Sequence, residues 1–185
     1  MSELWIDYAN SLWHDWRGDG HAIDKLPQPE WQSAFLQKHR LTAPVPAPAT
    51  ELEEMARFRD LLREFAQRLY EGGSVTEPMM GAVNEQLQRS AVVRRAALHG
   101  EDVRLEWQPQ ENSWNAVLAE AAADFVKSLA SGLGSRIRLC DNDNCKWVFL
   151  DDTRNRSKRY CEDKTCGNLM KVRRFRERKK AGDAE

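Results

Sequence analysis

Residues 136–180 read "RIRLCDNDNCKWVFLDDTRNRSKRYCEDKTCGNLMKVRRFRERKK" and hold all four cysteines of a 185-residue chain. Cys140 and Cys145 form one Cys-x4-Cys pair, Cys161 and Cys166 form another, and fifteen residues separate the two pairs. Two ligand pairs joined by a short hairpin is the layout of a tetrahedral structural zinc site, where four thiolates saturate the ion and leave no position for a substrate water. Three other uses of four thiols stand beside it. A dithiol redox pair normally spaces its cysteines by two residues, not four. An iron–sulfur cluster also takes four thiolates, although no ferredoxin spacing is present. Four free thiols is the plainest alternative. The expectation carried forward is one structural Zn2+ held by Cys140, Cys145, Cys161 and Cys166.

The surrounding residues suit such a clip. "DNDN" between the first two cysteines is turn-forming, and "RIRL" can pair with the β-prone "KWVFL" to make a small hairpin. The second pair precedes a helix, with Thr165 the expected N-cap. A helix start and nearby cations both favour thiolate. About 45 residues bury too little apolar surface to fold alone, so metal affinity must supply the missing stability. The pattern predicts a treble-clef or zinc-ribbon-like finger ending in a basic helix.

Charge is distributed unevenly. Residues 136–180 carry 15 Lys/Arg against 7 Asp/Glu, while the rest carries 13 against 22, so a net charge of −1 conceals a basic end and an acidic body. Such polarity points to a polyanion partner; the plain alternative is a basic tail docked on its own acidic body. The cations fall in two groups: Arg154, Arg156, Lys158 and Arg159 before the third cysteine, and Lys171, Arg173, Arg174, Arg176, Arg178 and Lys180 in the last helix. These are the nucleic-acid-binding candidates. Leu169, Val172 and Phe175 make a narrow stripe expected to pack back on the finger.

The body is mainly helical in pattern. Trp5, Ala9, Leu12 and Trp16 predict a first helix ending at "RGDG"; "LPQPE" introduces a second, with Trp31, Phe35 and Leu36 on one face. "TAPVPAPAT" must be an extended connector. Thr50 and Glu53 form a capping-box pattern ahead of a long helix whose stripe is Leu52, Met55, Leu62, Phe65 and Leu69, closed by "EGG". Another helix is expected over about 78–90, with Val83 and Leu87 inward. Val103, Leu105 and Trp107 alternate, so a β-hairpin turns near Gly100. A last body helix, from Asn112 or Ser113, repeats Trp114, Val117, Leu118, Ala121, Ala122, Phe125, Val126 and Leu129; "SGLGS" ends it.

The chemistry of catalysis is missing from this pattern. No phosphate-binding Gly loop or Ser-His-Asp set occurs, and His14, His21, His39 and His99 are scattered. Asp7, Asp15, Asp19 and Arg17 cluster, as acids around a helix end commonly do. Aromatic stripes at helical spacing are core rather than ligand boxes. With 41% hydrophobic and 31% charged residues, a mean hydropathy of −0.71 and no run of ~20 apolar residues, the expectation is a soluble, cytoplasmic, non-enzymatic protein without a signal peptide.

The stretch "CDNDNCKWVFLDDTRNRSKRYCEDKTCGNLMKVRRFRER" resembles the CGNR zinc-finger proteins of bacteria, which carry an N-terminal ABATE domain and are assigned by likeness to stress-induced transcription regulation. Paired cysteines, the Phe-x-Asp before "TRN", the basic loop, the Cys-Gly-Asn box and the basic helix carry the resemblance. "IDYANSLWHDWRG", "LPQPEWQSAFL" and "RFRDLLREFAQRLYEG" extend it more loosely over about residues 3–180. It implies that the four cysteines are the zinc ligands. It also exposes a departure: the arginine expected after Cys-Gly-Asn is Leu169 here, so a phosphate contact through it must come from neighbours.

The fold expected is mainly α (α+β): a helical ABATE-like domain with a small β-hairpin over 1–134, a CGNR-type zinc finger over 135–180, and a flexible tail over 181–185. The function expected is a zinc-dependent DNA-binding transcription regulator. A zinc-stabilised protein-interaction module and an RNA-binding protein are the alternatives. The N-terminal domain is expected to meet a small-molecule effector or a protein partner, a second copy of the chain included, and no membrane.

Overall fold

The computed structural model describes the backbone of residues 4–182 and side chains as far as Lys179; residues 1–3 and 183–185 lie outside it. Within that range the chain is mainly α with α+β character: six α-helices and three two-stranded antiparallel hairpins.

The first helix, α1, is Leu4–Ala9, shorter than the sequence pattern predicts. Leu12–His14 is instead a strand, β1, paired with β2 (Ala22–Asp24) in the register Leu12↔Asp24 and His14↔Ala22. "RGDG" is thus the loop of a hairpin rather than a helix stop. The reason lies at Asn10, whose side chain competes with helix for backbone partners. Its Nδ2 donates to the Val148 carbonyl at 2.9 Å and its Oδ1 accepts the Val148 amide at 2.9 Å, so one side chain extends the C-terminal sheet.

Helix α2, Pro29–His39, begins on Pro29 as expected, and packs Phe35 and Leu36 inward. The proline connector stays non-helical and is tied down by buried Gln32. Its Nε2 donates to the Leu26 carbonyl and its Oε1 accepts the Ala47 amide. Helix α3, Ala49–Tyr70, starts one residue before Thr50, and its N-terminus takes no side-chain cap. The capping-box reading therefore fails: with Pro48 fixing the backbone ahead of the helix, Thr50 already lies inside the first turn. At the other end Gly72 adopts φ 85° and the Gly73 amide bonds the Arg68 carbonyl, which is how "EGG" closes the helix.

Helix α4, Glu77–Leu87, is capped by Thr76, whose hydroxyl accepts the Met79 amide. Helix α5, Trp114–Ala130, is capped by Ser113 through the Ala116 amide. Between them β3 (Val92–His99) and β4 (Asp102–Pro109) form the predicted hairpin about Gly100. Its strands stand largely in solvent.

The core gathers Trp5 and Tyr8 of α1, Met55, Phe58 and Leu62 of α3, Val83 of α4, and Trp114, Leu118 and Phe125 of α5. Trp5 packs edge-on against Phe125 at 5.1 Å. Its polar atoms are also satisfied: the indole N–H donates to Ser128 Oγ at 3.0 Å and the backbone amide to Asp124. Strands β5 (Ile137–Leu139) and β6 (Val148–Leu150) pair as the sequence predicts, and Ile137 and Val148 are buried in this same core. The C-terminal segment is built onto the body, not merely tethered to it.

Asn10→Ala should therefore destabilise the chain by about 1–3 kcal/mol, since it strips both partners from the buried Val148 backbone. Urea unfolding with the denaturant slope compared between variants checks this, and an unchanged midpoint would contradict it.

Candidate metal centre and basic helix

The first cysteine pair sits on a tight knuckle at the end of the β5–β6 hairpin. The Cys140 amide donates to the Trp147 carbonyl at 2.9 Å, and the Cys145 amide to the Asn142 carbonyl at 2.7 Å. Lys146 turns the chain back with φ 55°, a left-handed conformation. Both thiols consequently point to one side.

The second pair is presented differently from the sequence expectation. Thr165 is not an N-cap; its hydroxyl donates back to the Glu162 carbonyl. Residues Asp163–Gly167 form one wide π turn before helix α6, Asn168–Gly182. The wider turn places Cys166, 1% exposed, toward the other sulfurs. Space at Gly167 is limited: an added Cβ would sit 3.3 Å from an Asp163 carboxylate oxygen and 3.6 Å from the Glu162 carbonyl.

The four Sγ atoms lie within 4.8 Å of one another. Cys145 and Cys161 are 3.7 Å apart, and Cys161 and Cys166 are 3.9 Å apart. A tetrahedron with arms of about 2.3 Å has edges of about 3.8 Å, so the spacing fits a Zn(Cys)4 centre. Hydrogen bonding from the Cys145 and Cys161 thiols holds Cys140 far below the usual thiol range, and the same bonds push Cys145 and Cys161 up. One sulfur is thus held as a thiolate by its protonated neighbours, and a soft divalent cation would take the place of the shared protons. Asn142 Nδ2 adds a donor at 3.4 Å from Cys166 Sγ. This is a site for one structural zinc.

Around it lies a second, smaller core of Phe149 and Tyr160, backed by Trp16, Trp147 and Met170. Trp16 arrives from the body, in the β1–β2 loop. That loop is latched to the finger at three points. Asn142 Nδ2 donates to the Trp16 carbonyl at 2.9 Å, Asn144 Nδ2 to the Gly18 carbonyl at 2.6 Å, and Arg173 to the Arg17 carbonyl at 3.1 Å. Asp15, Asp19 and His21 also come together in this loop, largely exposed, and help shape its turn.

The basic loop is organised by Asp151, whose side chain is fully buried. Burial pushes its carboxyl up. Hydrogen bonds from Thr153 and from the Lys158 amide, with Arg138 nearby, outweigh that and hold it below the usual range. Sequence reading placed Asp151 in a motif but gave it no task, because a carboxylate that organises a loop looks like any surface acid. Asn142 and Trp16 were likewise missed, being read as a turn residue and a core aromatic.

The candidate cations divide by environment. Lys158 pairs with Asp152 at 3.1 Å and lies 5.7 Å from the Phe149 ring centroid. Arg159 pairs with Asp141 at 2.6 Å. Arg173 is spent on the Arg17 carbonyl, and Arg174 donates to the Tyr160 hydroxyl while stacking on its ring. Arg154, Arg156, Lys171, Arg176 and Arg178 are exposed, and among the described residues no carboxylate pairs with them. The Lys180 side chain lies outside the described residues; Ala181 and Gly182, expected in a flexible tail, continue α6.

The stripe on α6 is also corrected. Leu169 is half-buried, but Val172 and Phe175 face solvent, Phe175 being 61% exposed. Met170 and Arg173 hold the helix to the finger and the body instead, which turns Phe175 outward among the cations.

The chain matches two families in order. Residues 2–132 match ABATE, described as "Putative stress-induced transcription regulator". Residues 136–179 match the CGNR zinc finger. No curated protein matches the chain.

Two outcomes are expected of this centre. A strong chelator should withdraw one equivalent of zinc, expose four reactive thiols and melt the finger, whose metal contributes on the order of 10 kcal/mol. Melting of the finger without thiol release would contradict it. Asp151→Ala should cost about 2 kcal/mol. Because the folded carboxyl titrates below its unfolded value, that stabilisation is full above about pH 4 and fades as pH falls further. Urea midpoints for both proteins across that range should converge at low pH.

Proposed function

Since the chain belongs to the ABATE family and ends in a CGNR zinc finger, we propose that it is a non-enzymatic DNA-binding transcription regulator. On this reading the zinc-fixed helix α6 and the basic loop form the contact surface. One observation carries this: α6 is anchored at its start by the cysteine cluster and presents Lys171, Phe175 and Arg178 at helical spacing on a solvent face, with Arg176 and Lys179 beside them.

The physical fit is direct. Fifteen residues make a rod about 22 Å long and, with side chains, about 10–12 Å wide. The B-DNA major groove is about 12 Å wide. Arg154, Arg156, Lys171, Arg176 and Arg178 offer five cations for phosphates or for guanine edges. The exposed Phe175 and Val172 suit thymine methyl groups, which a purely solvated charge run would not need. Zinc supplies only the fixed position of the helix; it has no open coordination site for chemistry.

The alternatives have less behind them. Among the described residues, the ion pairs of the finger stay within it, and none joins α6 to a carboxylate of the body. That weakens the reading of a basic tail docked on its own acidic domain. RNA recognition relies on exposed aromatic platforms; Phe149 and Tyr160 are buried and Trp147 is half-buried, which leaves Phe175 as a single exposed ring in the finger rather than a platform.

Fluorescence anisotropy with duplex DNA tests the proposal. Five phosphate contacts predict a slope of about −4.5 in log affinity against log salt. Arg176→Glu with Arg178→Glu should weaken binding about tenfold or more and flatten the slope by about 2, with zinc retained. Arg159→Glu, whose cation is already paired, should do much less. No binding at low salt, or displacement of the duplex by single-stranded RNA, would overturn it.

A further inference from the structure

Helix α3 of the body runs beside the cysteine knuckle and reaches it at two points. Arg63 and Tyr70 stand two turns apart on one side of the helix, about 10 Å along its axis. Each bonds the residue that follows a cysteine of the first pair. Arg63 Nη2 donates to the Lys146 carbonyl at 3.1 Å, next to Cys145, and its Nη1 donates to the Ala9 carbonyl at the end of α1 at 3.2 Å. The Tyr70 hydroxyl donates to an Asp141 carboxylate oxygen at 3.2 Å, next to Cys140. Gln67, between them on α3, lines the same cleft as Cys140, Asp141 and Lys146.

The knuckle needs such support. Lys146 holds φ 55°, a conformation strained for any residue with a Cβ. The Cys145 and Lys146 amides both close on the Asn142 carbonyl. A donor on the Lys146 carbonyl fixes the peptide by which the chain leaves this turn. Asp141 is gripped from two sides, by Tyr70 of the body and by Arg159 of the finger.

Charge points the same way. Arg59, one turn before Arg63, takes both Asp24 and Asp60. Among the described residues no carboxylate pairs with Arg63, whose partners are carbonyls. Burial draws its pKa down and Arg59 adds to this, while Asp60 and the charge of Cys145 act the other way. A half-buried guanidinium without a carboxylate is stabilised by any anion nearby, and the thiolates of the metal site are such a group.

We propose that α3 completes the metal site from outside it: Arg63 and Tyr70 are positioning residues that fix the knuckle bearing Cys140 and Cys145, so the N-terminal domain sets part of the finger's zinc affinity. Both act on the neighbour of a ligand, as the outer partners of metal sites do. The coupling is reciprocal, so zinc held in the finger stabilises the packing of α3 in the body by the same amount. The proposal is independent of what the finger binds.

The test is the zinc dissociation constant of the full chain, by competition with a chromophoric chelator, beside urea unfolding of the zinc-loaded and zinc-free chain. Arg63→Met keeps the apolar stem and removes the donors and the charge. It should weaken zinc about 10- to 100-fold, with helical circular dichroism unchanged. Tyr70→Phe, which removes one hydroxyl, should weaken it about two- to fivefold. Arg63→Lys keeps the cation but cannot bridge both carbonyls, and should fall between wild type and Arg63→Met.

The urea midpoints separate positioning from ordinary support of the body. An arginine that merely braced α1 against α3 would lower the loaded and zinc-free midpoints together and leave the zinc constant alone. The proposal requires the loaded midpoint of Arg63→Met to fall further than the zinc-free one. Equal falls would overturn it, as would a zinc constant within about twofold of wild type. Should Arg63→Met not fold, wild-type zinc affinity in both Arg63→Lys and Tyr70→Phe would overturn it instead.

Discussion

Four sulfurs drawn within 4.8 Å of one another set the terms for the rest of the C-terminal structure. Bare thiols at that distance are held together only by weak S–H hydrogen bonds, and anionic sulfurs would repel. A divalent cation at the centre turns the repulsion into the strongest cross-link in the finger. It joins a β-hairpin knuckle to the start of a helix that otherwise has little to pack against. The density of cations nearby then has a physical sense, since a Zn(Cys)4 centre carries a formal charge of −2 that surrounding arginines and lysines offset.

The finger is also oriented. Asn10 of the body pairs with the Val148 backbone, Ile137 and Val148 enter the body's core, and the β1–β2 loop is held by Asn142, Asn144 and Arg173. Trp16 from that loop closes over the cysteine cluster. The direction of α6 relative to the helical body is therefore fixed by hydrogen bonds and packing on two sides. A change in the body at the β1–β2 loop would reach α6 through Arg173 without passing through the metal, and would reach the cysteine cluster through Asn142.

Much of this was legible from spacing. The cysteine pairs, the β5–β6 hairpin, the hairpin about Gly100 and helices α2 to α5 all follow from periodicity and turn residues, because burial imposes those periods. What escaped was set by long-range partners. Asn10 ends α1 early because it bonds a strand 138 residues away, which no local window contains. Thr165 has N-cap chemistry but yields to a π turn, since the cysteine beside it must reach the metal centre. Val172 and Phe175 repeat like a core stripe, yet Met170 and Arg173 set the helix's rotation. Asp151 and the asparagines of "DNDN" have ordinary turn composition; their tasks depend on which amides and carbonyls the fold brings to them.

The central claim is that one zinc ion bound by four sulfurs shapes the finger and aims its helix. X-ray absorption at the zinc edge of the purified full chain tests it most directly. The account predicts a single shell of four sulfur scatterers at about 2.3 Å with no nitrogen or oxygen ligand. A mixed sulfur and nitrogen or oxygen shell, or a folded finger in protein free of zinc, would contradict it.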